Sequence, residues 1–179
     1  TIFHTNDMHG RLGYEEYKGK PSSFGSAREK ALIDKEKKEN PDRTVIALDA
    51  GDAFQGLPVS NQSKGQDMAK AMNEIGYKAM TAGNHEFDFG LDTVEKYKNS
   101  PQNGGWLNFP MVSTNVYKDG KRLFEPSTIL NENGVKIGIV GVTTPETATK
   151  TNPTGIKGVT FTKPIPEVTK EITKIKDKV

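Results

Sequence analysis

Three short clusters carry the residue types best suited to chemistry: Asp7-Met8-His9-Gly10, Gly51-Asp52 and Gly83-Asn84-His85-Glu86. They offer carboxylate oxygen, amide oxygen and imidazole nitrogen, a donor set that suits Zn, Mn or Fe better than Mg alone. Asp7 and His9 stand at i and i+2, so on an extended loop both side chains can converge on one ion. Asp52 can bridge two ions about 3.5–4 Å apart, the spacing of two-metal hydrolases. Asn84 offers a neutral amide oxygen to the second ion. Such a pair polarises a phosphoryl oxygen and makes hydroxide available near neutral pH. His85 then needs no metal, and can face a leaving group as acid or charge stabiliser with Asp88 orienting its ring. Taken singly, each cluster is ordinarily a turn or an incidental pair; together, in this order, they favour a metal site. The chain has three histidines and none after His85, so it carries about half the ligands of a closed two-metal centre.

The elements that must position these clusters follow from periodicity. Thr1 to Thr5 reads as a short buried strand, with His4 inside it as a satisfied core histidine. A Gly- and Lys-containing loop is expected from Gly10 to about Pro21. Ser23 to Glu39 is a helix by propensity, ended by Pro41. Thr44 to Leu48 is a β-branched, apolar strand, followed by a loop from Asp49 to Gly65. Asp49 reads as a loop-capping carboxylate and not as a ligand. Met68, Met72 and Ile75 recur at helical spacing, with Gly76 as C-cap. Lys78 to Thr81 is a weak third strand, and Leu91, Val94 and Tyr97 mark another helix. Pro110 to Val116 reads as a strand. Asn133-Gly134 between Ser127–Leu130 and Val135–Val142 signals a hairpin. Ile165, Val168, Ile172, Ile175 and Val179 trace an amphipathic helix, with Pro164 in its first turn. The alternation predicts a layered α/β domain, helices on a mostly parallel or mixed sheet. Each cluster then lies just past the carboxyl end of a strand, where open α/β sheets gather ligands.

Composition narrows the partners. The chain has 179 residues, enough for one domain with a core. Its 25 basic and 23 acidic residues leave a formal charge of +2, too even a balance to argue for nucleic acid. The run from Lys35 to Lys38 reads as a solvated helix face. There is no cysteine, which removes disulfides, thiolate sites and cysteine nucleophiles. No stretch approaches the ~20 apolar residues of a membrane span. The chain begins inside a strand and ends on an apolar helix residue, and both ends suggest that the natural protein continues.

The same residues carry a family likeness. His4-Thr5-Asn6-Asp7-Met8-His9-Gly10, Asp49-Ala50-Gly51-Asp52 and Gly83-Asn84-His85-Glu86-Phe87-Asp88 resemble the 5′-nucleotidase branch of the calcineurin-like metallophosphoesterases. Ser113-Thr114-Asn115-Val116 and Ile139-Val140-Gly141-Val142-Thr143-Thr144 are similar to that branch too. The resemblance implies that Asp7 and His9 hold a first divalent ion (Mn, Zn or similar), that Asp52 bridges, and that Asn84 holds the second. His85 and Asp88 would be the catalytic pair. The implied fold is a metallophosphoesterase-type four-layer sandwich of two mixed sheets flanked by helices, incomplete in this chain. Residues 1–179 would be the N-terminal portion of the catalytic domain. The rest of that domain and a C-terminal nucleotide-binding domain are expected beyond it.

The implied activity is hydrolysis of nucleoside 5′-monophosphates, and also of nucleotide sugars or 2′,3′-cyclic nucleotides. The implied location is secreted, periplasmic or on the bacterial cell wall. The family takes three further histidine ligands from later Gly-His and Gly-His-x-His motifs, neither of which is in this chain. On that reading the chain alone holds metal weakly, is inactive, and exposes apolar surface. Two alternatives stand beside it: a surface binding module that kept the fold without chemistry, and the same centre acting on another oxoester, such as thiosulfate linked to a carrier.

Overall fold

The computed structural model describes residues 1–179. Four strands form the principal sheet: β1 (Ile2–Thr5), then, past a small hairpin of β2 (Glu15–Tyr17) and β3 (Lys20–Ser23), β4 (Ile46–Asp49), β5 (Ala79–Thr81) and β6 (Met111–Val112). Their spatial order is β1-β4-β5-β6 and all three pairings are parallel. Parallel neighbours need crossovers. These are α1 (Ser26–Glu39), the pair α2 (Pro58–Asn61) and α3 (Gln66–Ile75), and α4 (Leu91–Lys98). Ile33 of α1, Met68 and Met72 of α3, and Val94 and Tyr97 of α4 join Val45, Ala47, Met80 and Met111 in one core. The three helices therefore cover the same face of the sheet.

The remaining strands form small antiparallel sheets. β7 (Val116–Lys118) pairs with β8 (Lys121–Arg122) and with β11 (Val159–Phe161). β9 (Ser127–Glu132) and β10 (Val135–Val140) form the expected hairpin, with both Asn133 (φ 54°) and Gly134 (φ 81°) left-handed at its turn. α5 (Thr147–Lys150) and α6 (Pro164–Ile175) complete the chain. The α/β architecture is thus as expected; the principal sheet is wholly parallel, and the smaller sheets are antiparallel.

Several local expectations are corrected. The segment after Gly10 is not all loop: β2 and β3 pair across Lys18-Gly19, both left-handed. Its strands, Glu-Glu-Tyr and Lys-Pro-Ser-Ser, lack the apolar alternation that marks a strand in sequence. Residues 110–116 split into β6 and β7, because the intervening Ser113, Thr114 and Asn115 are buried and turn their polar groups to Glu125, Gly141, Thr143 and Thr162, outside the strands. β1 is an edge strand, half-buried at most, and His4 is exposed rather than enclosed in the core. It lies beside Leu48, Ala79, Thr81 and Val112 on the second face of the sheet. There these residues line a cleft of about 290 Å³ with Ile139 and Val140.

Helix α6 forms where expected, with Pro164 at its start, but its apolar stripe is divided. Ile175 packs against β10, where Gly138 has no side chain to hold it off. Glu171 is 2% exposed and accepts from Ser127 Oγ at 2.7 Å. Ile165 and Ile172 face out, 78% and 47% exposed. The hydroxyl and the glycine of the hairpin, and not helix hydrophobicity alone, set which face packs.

Asp49 caps the loop that follows β4, as expected. Its carboxylate accepts from Gly51 N–H at 2.8 Å and from Thr5 Oγ1 at 2.7 Å. Thr5 Oγ1 also meets the Tyr77 hydroxyl, which reaches Glu29 of α1. Burial pushes the Asp49 carboxyl up to about 7 despite these donors. A carboxyl raised in the folded state binds a proton that the unfolded chain has released, so stability falls as pH rises from near 4 to near 7. Asparagine can accept from Gly51 N–H and donate to Thr5 without a charge. Asp49→Asn should therefore gain stability over the unsubstituted chain at pH 8 relative to pH 5, on the order of 1–3 kcal/mol. Urea unfolding of both chains at the two pH values measures this, and parallel pH dependence would remove the assignment.

Candidate metal centre

The three clusters leave the carboxyl ends of β1, β4 and β5, and backbone hydrogen bonds tie them edge to edge. Asp7 N–H donates to Gly51 O at 2.9 Å, His9 N–H to Asp52 O at 3.0 Å, and Gly10 N–H to Ala53 O at 2.8 Å. The first two loops therefore continue the pairing of β1 with β4 after the strands end. Seven non-glycine residues have positive φ, and Asp7 (53°), His9 (48°) and Asp52 (58°) are three of them. The other four, Lys18, Lys64, Asp119 and Asn133, each precede a glycine in a turn. Asp7 and Asp52 do not, so left-handed backbone there is held by the loops around it. Asp and His accept that conformation more readily than most residues. Strained backbone of this kind clusters at functional sites.

The third loop is held against the second by Glu86, which no sequence feature above assigned. It is fully buried. Its Oε2 accepts from Asp52 N–H and Gly83 N–H, both at 2.7 Å, and its Oε1 from Ala53 N–H at 2.9 Å. Burial, with the charge of Asp52 beside it, pushes the carboxyl up to about 7 against the pull of these donors. The spacing of Gly83 and Glu86, three residues with the side chain reaching back to the first N–H, is half a capping box, and is the signal that could have found it. The loops also touch directly. A Cβ on Gly83 would lie 2.3 Å from Asp52 Oδ1, and one on Gly51 would lie 2.5 Å from Gly83 N. Both positions need glycine for close approach.

This scaffold brings His9, Asp52 and His85 together, with one potential ligand atom from each within 4.8 Å of the others. The two imidazoles meet edge-on with centroids 5.1 Å apart. His9 Nδ1 lies 2.8 Å from Gln55 O. A carbonyl only accepts, so Nδ1 carries the proton and Nε2 is left with a lone pair, the arrangement of a metal-ligating histidine. Asp7 Oδ1 lies 3.8 Å from His9 Nε2. Asp52 Oδ1 accepts from His85 N–H at 2.8 Å. Asn84 donates its amide to Lys150 O at 3.2 Å, which leaves its Oδ1 free. His85 Nδ1 pairs with Asp88 Oδ2 at 2.7 Å. Burial lowers the His85 imidazole, but the bond to Asp88 and the charge of Asp52 outweigh it, and its pKa is raised.

Asp7, His9, Asp52, Asn84, His85 and Asp88, the candidate metal and catalytic residues, thus all lie on these three loops. His85, expected to serve the site without holding metal, converges with His9 and Asp52. The donor set of Asp7, His9, Asp52 and Asn84 fits divalent ions, with the His85 imidazole beside it.

The chain has relatives in both sequence and structure. Residues 1–178 match the family described as calcineurin-like phosphoesterase. A 5′-nucleotidase of Vibrio cholerae is 41% identical over 182 residues, covering 99% of this chain and 31% of that protein. The crystal structure of a 5′-nucleotidase precursor from Thermus thermophilus superimposes with a TM-score of 0.81 at 33% identity, covering 99% of this chain and 34% of that one. The sulfate thiohydrolase SoxB of the same genus superimposes with a TM-score of 0.83 at 16% identity, covering 99% and 41%, a likeness of fold alone. The chain spans about a third of the length of the curated relatives it matches.

Two substitutions test the scaffold. Glu86→Gln leaves one of three buried N–H donors facing an amide NH₂, and should destabilise the fold by about 1–3 kcal/mol in urea unfolding. Gly83→Ala should instead displace Asp52 and, in the form of the protein that hydrolyses 5′-AMP, weaken Mn²⁺ binding by about 10-fold or more in calorimetric titration. Unchanged affinity would detach Asp52 from the site.

Proposed function

The chain belongs to the calcineurin-like phosphoesterase family, and from that premise we propose that it supplies part of the centre of a nucleotide-hydrolysing phosphoesterase with two divalent ions, Mn, Zn or similar. The observation that carries the reading is the convergence of His9, Asp52 and His85, the first two on left-handed backbone. Asp7 and His9 would hold one ion, Asp52 would lie between the two, and Asn84 Oδ1 would face the second. What divalent ions supply in such a centre is polarisation of phosphoryl oxygens and acidification of a water.

The chain's own residues orient and move protons. Gln55 O and Lys150 O fix the donor atoms of His9 and Asn84. His85, with Nδ1–H held by Asp88, presents Nε2 to the cluster, where a proton can be given to a leaving oxygen. Donors this closely oriented support an enzyme over a surface module that kept the fold without chemistry. Nucleoside monophosphates are the substrate class that the 5′-nucleotidase relatives support, with cyclic nucleotides and nucleotide sugars as further candidates. A secreted, periplasmic or cell-wall location belongs to the same reading. No helix of the chain is long and apolar enough to cross a membrane.

Two measurements test this. Calorimetric titration of the 179-residue chain with Mn²⁺ should give one weakly held ion or none. Two tightly held ions would mean that the donors of this chain suffice. In the form of the protein that hydrolyses 5′-AMP, His85→Ala should lower turnover about 100-fold or more and leave metal content near normal. Equal loss of metal would make His85 a ligand and remove it from acid catalysis.

A further inference from the structure

One segment outside the three loops touches two of the proposed site residues at once. At the end of α5, the Lys150 carbonyl accepts from the Asn84 amide at 3.2 Å. The next residue, Thr151, donates Oγ1–H to Asp88 Oδ1 at 2.5 Å, and Asn152 N–H reaches the same oxygen at 3.3 Å. Asp88 Oδ2 is the atom that holds His85 Nδ1. Both oxygens of Asp88 are therefore occupied, one by the histidine and one by this segment, and rotation of the carboxylate would break both sets of bonds. Thr151 is buried, so no water replaces its hydroxyl without rearrangement.

The segment is itself anchored. Thr143, where the chain leaves β10, donates its N–H to Asn115 Oδ1 at 2.9 Å, and its carbonyl accepts from Asn115 Nδ2 at 2.8 Å. Thr143 Oγ1 donates to Ala82 O at 2.8 Å, immediately ahead of Gly83. The Ser113-Thr114-Asn115 and Thr143-Thr144 motifs thus brace the exit of β10 to the exit of β5. That brace brings Lys150 and Thr151 to the third loop.

We propose that Thr151 is a positioning residue. Its hydroxyl fixes Asp88, and through Asp88 the ring of His85, while the adjoining Lys150 carbonyl sets the amide of Asn84. The catalytic consequence rests on the phosphoesterase reading above; the positioning itself does not. A hydroxyl that only capped α5 would accept or donate within its own helix. This one donates across 63 residues of chain to a carboxylate.

The test uses Thr151→Val, which keeps the shape and removes the hydroxyl, Thr151→Ser, which restores it, and Asp88→Asn. In the metal-free chain, the imidazole Nδ1–H of His85 should give a protected NMR resonance, identified by its loss in Asp88→Asn. It should be lost in Thr151→Val and kept in Thr151→Ser, with folding checked by circular dichroism. In the Mn²⁺-loaded protein acting on 5′-AMP, Thr151→Val should lower kcat about 10-fold with KM and metal content unchanged. It should cost nothing further in the Asp88→Asn background. A resonance that survives Thr151→Val, or unchanged kcat in an active protein, overturns the proposal. If the resonance responds as expected but the unsubstituted protein does not hydrolyse 5′-AMP, the positioning stands and the phosphoesterase reading falls.

Discussion

The buried carboxylate of Glu86 is the interaction on which the site depends. Three backbone N–H groups from two different loops end on its two oxygens. None of those donors has a partner in the strand ladders, because the strands have already ended. Orphaned in the interior, each would cost about 1–3 kcal/mol. Satisfied by one side chain, they weld the ends of β4 and β5 closely enough that Gly51 and Gly83 admit no Cβ between them. The positions of Asp52 and His85 follow from that weld, since Asp52 in turn accepts from His85 N–H. His9 is then placed by the backbone bonds that run from its loop to Asp52 and Ala53.

The sequence made some of this legible and hid the rest for identifiable reasons. The proposed site residues were readable because they sit on loops, where a polar residue has no packing duty to explain it. Among the elements through Tyr97, α1 was readable from helix propensity and β4, α3 and α4 from apolar spacing, whereas β5 was weakly marked and the short α2 fell within an expected loop. The β2–β3 hairpin was hidden by its polar, proline-containing strands. His4 was misplaced because alternation within one strand does not say whether the second face of a sheet is covered. The packed face of α6 was misjudged because Gly138 and Ser127, some 30 to 45 residues earlier, decide it. Glu86 and Thr151 act through partners remote in sequence, so neither carries a local pattern stronger than the Gly-x-x-Glu spacing.

The site also shows why a donor set and a scaffold are separate questions. His9, Asp52 and His85 are brought together by bonds among backbone groups and by one glutamate, none of which requires an ion. Asp49, Thr5, Tyr77 and Glu29 form a further polar chain behind the first two loops, reaching from the sheet to α1. Side chains on so fixed a frame lose little freedom when they engage a ligand, which is the general advantage of a preorganised site.

The sequential strand order, β1-β4-β5-β6, has a consequence in time. Each βα unit adds its strand to a free edge of the sheet already made, and none has to be inserted between earlier neighbours. During synthesis, where folding proceeds from the N-terminus, the loops bearing Asp7, Asp52 and His85 would emerge in the order in which they pack. The clamp on Asp88 comes last. Until Thr143 is braced by Asn115 and the following turn brings Thr151 down, a nascent chain would hold its ligands in place with the histidine ring still free to turn.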